Sequence, residues 1–308
     1  MGNQFDAALD STEAAQKRYG QQLGFVGDRT PFAAETMPDR QVAVDVNGEL
    51  MQEVASHIVN RAGHVSIIDE HGAGKSHFRD IVYESLNERR ERFRVARIQE
   101  VESITTRRTY VRVLNDLRQY NDLDVPEQLP HATDEVREAL EDLAEQLEDL
   151  GVTCIVQVDQ MEDVAGDTNR FEQLLAALQS IGDLGDKEPV FILFLFGTHE
   201  AGDRIEELRE TLASRMVAKD RTLERFSAEE TEELIGRWLS WARDEEYTMG
   251  YPIDPFAPKT VREILNRVEN RTPRAVRQEC YHAYRAGARQ YEDVGTVEIT
   301  PETLEARL

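Results

Sequence analysis

From Asn47 onward the chain alternates short, densely apolar runs with longer amphipathic stretches. Runs at 64–68, 93–98, 152–158, 190–196 and 221–226 have the length and the β-branched and aromatic content of buried strands. The stretches between them are long enough for helical crossovers, so the pattern predicts an α/β fold: a five-stranded, mainly parallel sheet covered by helices. Leu50, Val54, Ile58 and Val59 form one stripe of a helix that precedes the first strand and ends near Gly63. After Phe226 the texture becomes purely helical. Ser227 and Glu230 make a capping box, Leu234, Ile235, Trp238 and Leu239 a buried stripe, and Thr272-Pro273 another helix start. The expected organisation is an N-terminal extension at 1–45, a core at 46–226 and a small all-α domain at 227–308. Within the extension, residues 1–18 are polar with weak helical character, and the next segment, through Gly20, Gly24, Gly27, Pro31 and Pro38, reads as an extended approach draped over a core. Leu140, Leu143, Leu147 and Leu150 span fewer than three heptads, which favours a helix packed on the sheet over a coiled-coil seam.

Charge adds habitat to this picture. Among 308 residues, 60 acidic side chains face 36 basic ones, for a net charge of -24, and only Lys17, Lys75, Lys187, Lys219 and Lys259 are lysines. An acidic, arginine-dominated surface points to a halophilic cytosol, where carboxylates keep a protein hydrated and salt screens their repulsion. No stretch approaches the roughly 18 apolar residues of a membrane span, and the N-terminus lacks a signal-peptide pattern, so a soluble cytoplasmic protein is expected. Cys154 and Cys280 have no partner at zinc spacing and read as reduced packing residues.

The sharpest chemical signal is Asp69-Glu70-His71-Gly72-Ala73-Gly74-Lys75-Ser76, set between an apolar strand and a helix containing Phe78, Ile81 and Val82. In a phosphate-binding loop, glycines let consecutive backbone N–H groups curve around a phosphate at a helix N-terminus. Lysine reaches the β/γ oxygens and serine ligates magnesium. Gly72, Gly74, Lys75 and Ser76 fit these roles, and the cradle spans His71, Gly72, Ala73, Gly74, Lys75, Ser76 and His77. Asp69 replaces the first glycine of the usual pattern. A second run, 152–158, ends in Asp159; on the strand beside the loop, this carboxylate would hold magnesium waters opposite Ser76. The expected cofactors are therefore ATP and Mg2+. His71, His77 and His199 crowd the site but lack spacing for a metal or acid-base role.

On these residues the chain resembles the AAA+ ATPases, and more narrowly the archaeal replication-initiator branch and the helper ATPases of transposition and type II secretion. The likeness runs from about residue 20 to the C-terminus. Gly24-Phe25 and Thr30-Pro31-Phe32-Ala33 resemble the helper group's lead-in. The resemblance implies a sensor-1 role for Thr198, touching the γ-phosphate or attacking water, and an arginine-finger role for Arg215. It makes the all-α domain a lid and gives Arg274, in Asn270-Arg271-Thr272-Pro273-Arg274, a sensor-2 role toward bound nucleotide.

Two departures bear on catalysis. Family members follow the magnesium aspartate with glutamate, whereas this chain has Gln160, which orients water but cannot accept its proton; Glu162 stands close enough to substitute. Asp69 and Glu70 would lie beside a triphosphate and repel it, so slow hydrolysis is expected. The reading that follows is a switch ATPase with Lys75, Asp159, Gln160, Glu162, Thr198, Arg215 and Arg274 as its reactive set, acting on ATP/ADP, self-associating through its ATPase face and serving an unknown protein client. The alternative is a degenerate, non-hydrolysing scaffold or regulatory subunit. DNA contact is a third reading, unsupported by charge and by a chain that ends about twenty residues after its last lid helix, short of a winged helix.

Overall fold

The computed structural model describes residues 4–33, 38, 40–185 and 189–305. The last three residues of the expected all-α domain, 306–308, lie outside the described residues. The chain divides into two compact units, Asn47–Leu223 and a helical unit made of Met1–Val46 with Glu224–Leu308. In chain order, helix α1 (Gln4–Gln22) opens the helical unit. The sheet unit then runs α2 (Gly48–Val59), β1 (His64–Ile68), α3 (Lys75–Asn87), β2 (Phe93–Ile98), α4 (Thr106–Leu117), α5 (Thr133–Asp149) and β3 (Thr153–Val158). It continues with α6 (Glu162–Ala165), α7 (Thr168–Gly182), β4 (Phe191–Gly197), α8 (His199–Leu208), α9 (Glu210–Ser214) and β5 (Met216–Arg221). The chain returns to the helical unit as α10 (Ala228–Arg243), α11 (Pro258–Arg267), α12 (Pro273–Val294) and α13 (Pro301–Glu305).

The sheet has the order β2-β3-β4-β1-β5, and every neighbouring pair is parallel. Every residue of β1, β3 and β4 is buried, which is why their sequences are continuous apolar runs. Successive side chains then serve opposite cores. Val156, Leu193 and Leu195 pack with α4, α5 and α7 through Val113, Leu117, Leu140, Leu174 and Leu178. Ile67, Ile155, Ile192 and Phe194 pack on the other face with Leu50 and Val54 of α2 and Phe78 of α3. The leucine repeat of α5 belongs to the first of these cores, with Leu140, Leu143 and Leu147 buried and Leu150 exposed. Cys154 is free and buried in the same core.

Two sequence expectations are corrected. The fifth strand is Met216–Arg221, not 221–226. It is an edge strand in which only Met216 and Ala218 are buried, so its sequence carries little apolar signal, while the stronger run after it serves other contacts. Leu223 lies in a sheet-unit core, and Phe226 in the core of the helical unit, where its N–H bonds the Arg271 carbonyl. The second correction concerns neighbours: β4 stands between β1 and β3, so Asp159 is not on the strand adjacent to the loop.

At the opposite end of the sheet, His64 opens β1 almost wholly buried. Its Nδ1 accepts the Leu193 N–H at 3.3 Å, and Nε2 has no partner among the described residues. Burial first, and the Arg215 charge second, lower its pKa from 6.5 to about 4. A depressed histidine adds stability that is full above about 6.5 and is lost as pH falls toward 4, by about 3 kcal/mol at most. Denaturant titrations between these pH values should show a flatter acid slope for His64→Gln than for the parent; parallel slopes would refute the assignment.

In the helical unit, Ser227 accepts the Glu230 N–H and Glu230 returns a bond to the Ser227 N–H, so the capping box forms as expected. Thr272 likewise caps α12 ahead of Pro273. The core joins Tyr19, Phe25 and Phe32 of the N-terminal segment to Trp238, Leu239, Phe256, Cys280 and Tyr284. No described helix is long and apolar enough to cross a membrane.

Candidate functional site

Six residues, 69–74, connect β1 to α3. Gly72 and Gly74 both adopt positive φ, at 85° and 103°, a backbone that side-chain-bearing residues rarely take. No side chain caps α3 at Gly74, so the first N–H groups of the helix and its dipole remain directed at whatever occupies the loop. Such a loop is an anion cradle. Lys75 is buried, and its Nζ donates to the Asp69 and Glu70 carbonyls at 2.6 and 2.9 Å. Burial pulls its pKa below the ordinary lysine value, against the attraction of Glu162, Asp69, Asp159 and Glu70, in that order. Ser76 is exposed on the first turn.

The Asp69 side chain is held inside the protein rather than exposed in the loop. Its carboxylate is fully buried and turned inward: Oδ1 accepts the Glu70 N–H at 2.7 Å and Oδ2 the Leu223 N–H at 2.8 Å. The residue anchors the loop to the segment after β5. Its charge still acts on Lys75, as does that of the half-buried Glu70.

Asp159 follows β3 at the same end of the sheet. Its Oδ1 accepts the Gln160 N–H at 3.0 Å and its Oδ2 is ion-paired with Arg79. Burial raises its pKa, opposed by Arg79, the Gln160 N–H and Lys75. Gln160 itself has positive φ, 57°, and an exposed side chain. Glu162, at the start of α6, is different: its side chain is only 11% exposed, Oε1 lies 3.7 Å from His71 Nδ1, and the buried Oε2 has no hydrogen-bond partner among the described residues. An unpaired buried carboxylate oxygen that acts strongly on Lys75 is poised to accept a proton or bind water. Arg79 was not anticipated. The only signal was its i+4 spacing from Lys75, which puts both on one helix face.

Thr198 stands at the N-cap position of α8 directly after β4, the strand between β1 and β3, and gives no side-chain bond to its helix. His71 and His199 are exposed, and His77 is half-buried beside Ser76. Arg215 lies elsewhere: it immediately precedes β5, its carbonyl accepts the His64 N–H, and it is ion-paired with Asp183. It thus stands at the end of the sheet away from the loop, about 16 Å along a five-residue strand. Arg274 is exposed in the first turn of α12 in the helical unit.

No protein-family model and no curated protein matches this sequence. Solved structures do. ADP-form ORC2 of Aeropyrum pernix superposes with a TM-score of 0.55 at 13% identity, covering 90% of this chain and 70% of that one. Cdc6p of Pyrobaculum aerophilum gives 0.54 at 13% identity, with coverages of 92% and 71%. The chain shares the fold of these two proteins. A Walker-type ATPase of Pyrococcus abyssi is also similar, at a TM-score of 0.51, 15% identity and coverages of 89% and 75%. At these identities the likeness is one of fold.

Proposed function

We propose that the protein is an ATP-binding switch that hydrolyses its nucleotide slowly and uses the cycle to regulate assembly of a partner complex. One observation carries this reading: the β1–α3 loop, with Gly72 and Gly74 left-handed and Lys75 buried, opens onto the end of the sheet that also bears Asp159, Glu162 and Thr198. The ADP-form and Walker-type neighbours support it by fold. Lys75 would bind the β/γ oxygens, the N–H groups of 72–76 the phosphate cradle, and Glu162 would take the proton of the attacking water. Thr198 would orient that water.

The residues present also fit magnesium. Ser76 and Asp159 are hard oxygen donors, and magnesium commonly takes only one or two protein ligands beside phosphate oxygens and water. Among the described residues no cluster of three His, Cys, Asp or Glu could hold a metal alone. When bound, the ion would neutralise phosphate charge. The testing experiment is ATP-analogue binding with and without magnesium: the parent should bind more tightly with magnesium, and Asp159→Asn should lose most of that difference. Binding indifferent to magnesium in both proteins would contradict the assignment of Asp159.

Arg215 would act in a neighbouring subunit. A guanidinium presented there stabilises charge on a transferring phosphoryl group. Arg215→Ala should leave nucleotide affinity intact and abolish hydrolysis, and mixing with Lys75→Ala subunits should restore it. Its pair with Asp183 is half-exposed, so the mutant should lose no more than about 1 kcal/mol of stability. Normal turnover by the mutant would remove the finger. The scaffold reading is favoured by one feature, the exposed Gln160 where a catalytic carboxylate is usual. Nucleotide retained stoichiometrically without turnover would establish it.

A further inference from the structure

Arg79 is the charged residue of the site to which neither the loop nor the resemblance gives a role. Its side chain is nearly buried, 11% exposed, and its guanidinium is shared by two carboxylates. Nη1 is ion-paired with Asp159 Oδ2, while Nε and Nη2 donate to Asp80 Oδ1 at 3.1 and 2.8 Å. The Arg79 carbonyl accepts from Gln157 Nε2 at 3.3 Å, tying this turn of α3 to β3. Since Asp159 Oδ1 already accepts the Gln160 N–H, both oxygens of the magnesium carboxylate are claimed by the protein itself.

A guanidinium is a permanent cation, and in a largely buried site its repulsion of a second cation is weakly screened. A divalent ion approaching Asp159 therefore competes with Nη1 for the same carboxylate. Asp80 supplies the alternative position: its side chain is 46% exposed and already binds two arms of the fork, so it can keep Arg79 after Asp159 is released. We propose that Arg79 competes with magnesium for Asp159 and thereby sets the magnesium affinity of the site. The inference rests on the nucleotide-site reading above and adds a residue that decides how much cation the bound nucleotide recruits.

The test is a magnesium titration of binding by a fluorescent ATP analogue, starting in EDTA. For Arg79→Gln, which keeps a polar head without the charge, the half-saturating magnesium concentration should fall at least about tenfold, read against that variant's own binding in EDTA. A half-saturation that is unchanged or raised overturns the proposal, a rise meaning that Arg79 holds Asp159 in position for the metal. Asp80→Asn gives the complementary result should Arg79→Gln fail to fold: with its second anchor weakened, Arg79 settles on Asp159 and half-saturation rises, and no rise overturns the proposal. Normal nucleotide binding with unaltered magnesium titrations would sink this inference alone, whereas a parent that binds no nucleotide, in EDTA or in magnesium, would sink the nucleotide reading with it.

Discussion

Lys75→Ala is expected to lower nucleotide affinity by at least about tenfold, equivalent to about 1.4 kcal/mol. The side chain is the one mobile cation that the loop supplies, held by the Asp69 and Glu70 carbonyls at the mouth of the glycine turns. The loop N–H groups would remain, so residual weak binding is expected. The lysine is buried among four carboxylates, and its removal leaves Glu162 without that cation and Asp159 with Arg79 alone. Added repulsion toward phosphate should therefore deepen the loss beyond that of one hydrogen bond. Fluorescence anisotropy with an ATP analogue in high salt measures it, and an affinity equal to the parent's would remove the phosphate-loop reading.

The second large effect falls on Glu162. Glu162→Gln should lower hydrolysis by about 100-fold or more while leaving binding within about threefold, because an amide fills the same space but cannot take a proton. Gln160→Glu should change the rate by no more than about twofold, since that side chain projects into solvent from a left-handed backbone position. Phosphate-release assays on both variants decide the matter: a fall confined to Glu162→Gln supports the assignment. A rise with Gln160→Glu and none lost with Glu162→Gln would reverse it.

Much of the fold was legible because burial on both faces leaves an unmistakable composition. β1, β3 and β4 are buried at every residue, and their runs stood out to within a residue of the observed ends. β5 did not, because an edge strand holding Lys219, Asp220 and Arg221 looks polar, and the apolar Leu223 and Phe226 that follow it belong to other contacts. The β1–α3 loop was legible for a local reason, namely glycines, lysine and serine at fixed spacing between a strand and a helix. Side-chain direction was not. Asp69 turns inward because its Oδ2 accepts the N–H of Leu223, 154 positions away in sequence. Likewise the choice between Gln160 and Glu162 depends on a positive φ at Gln160 that swings the chain so that the second carboxylate, not the first amide, is buried near Lys75. Arg79 escaped notice since its partner Asp159 is 80 residues distant in sequence.

The central claim is that the loop between β1 and α3 binds a nucleoside triphosphate. Isothermal titration of the purified protein with ATP and magnesium in high salt tests it most directly. Saturable binding of one nucleotide per chain, with a micromolar or tighter dissociation constant that Lys75→Ala weakens, is the predicted result; heat that never saturates up to millimolar ATP, from protein shown to carry no nucleotide already, would contradict it.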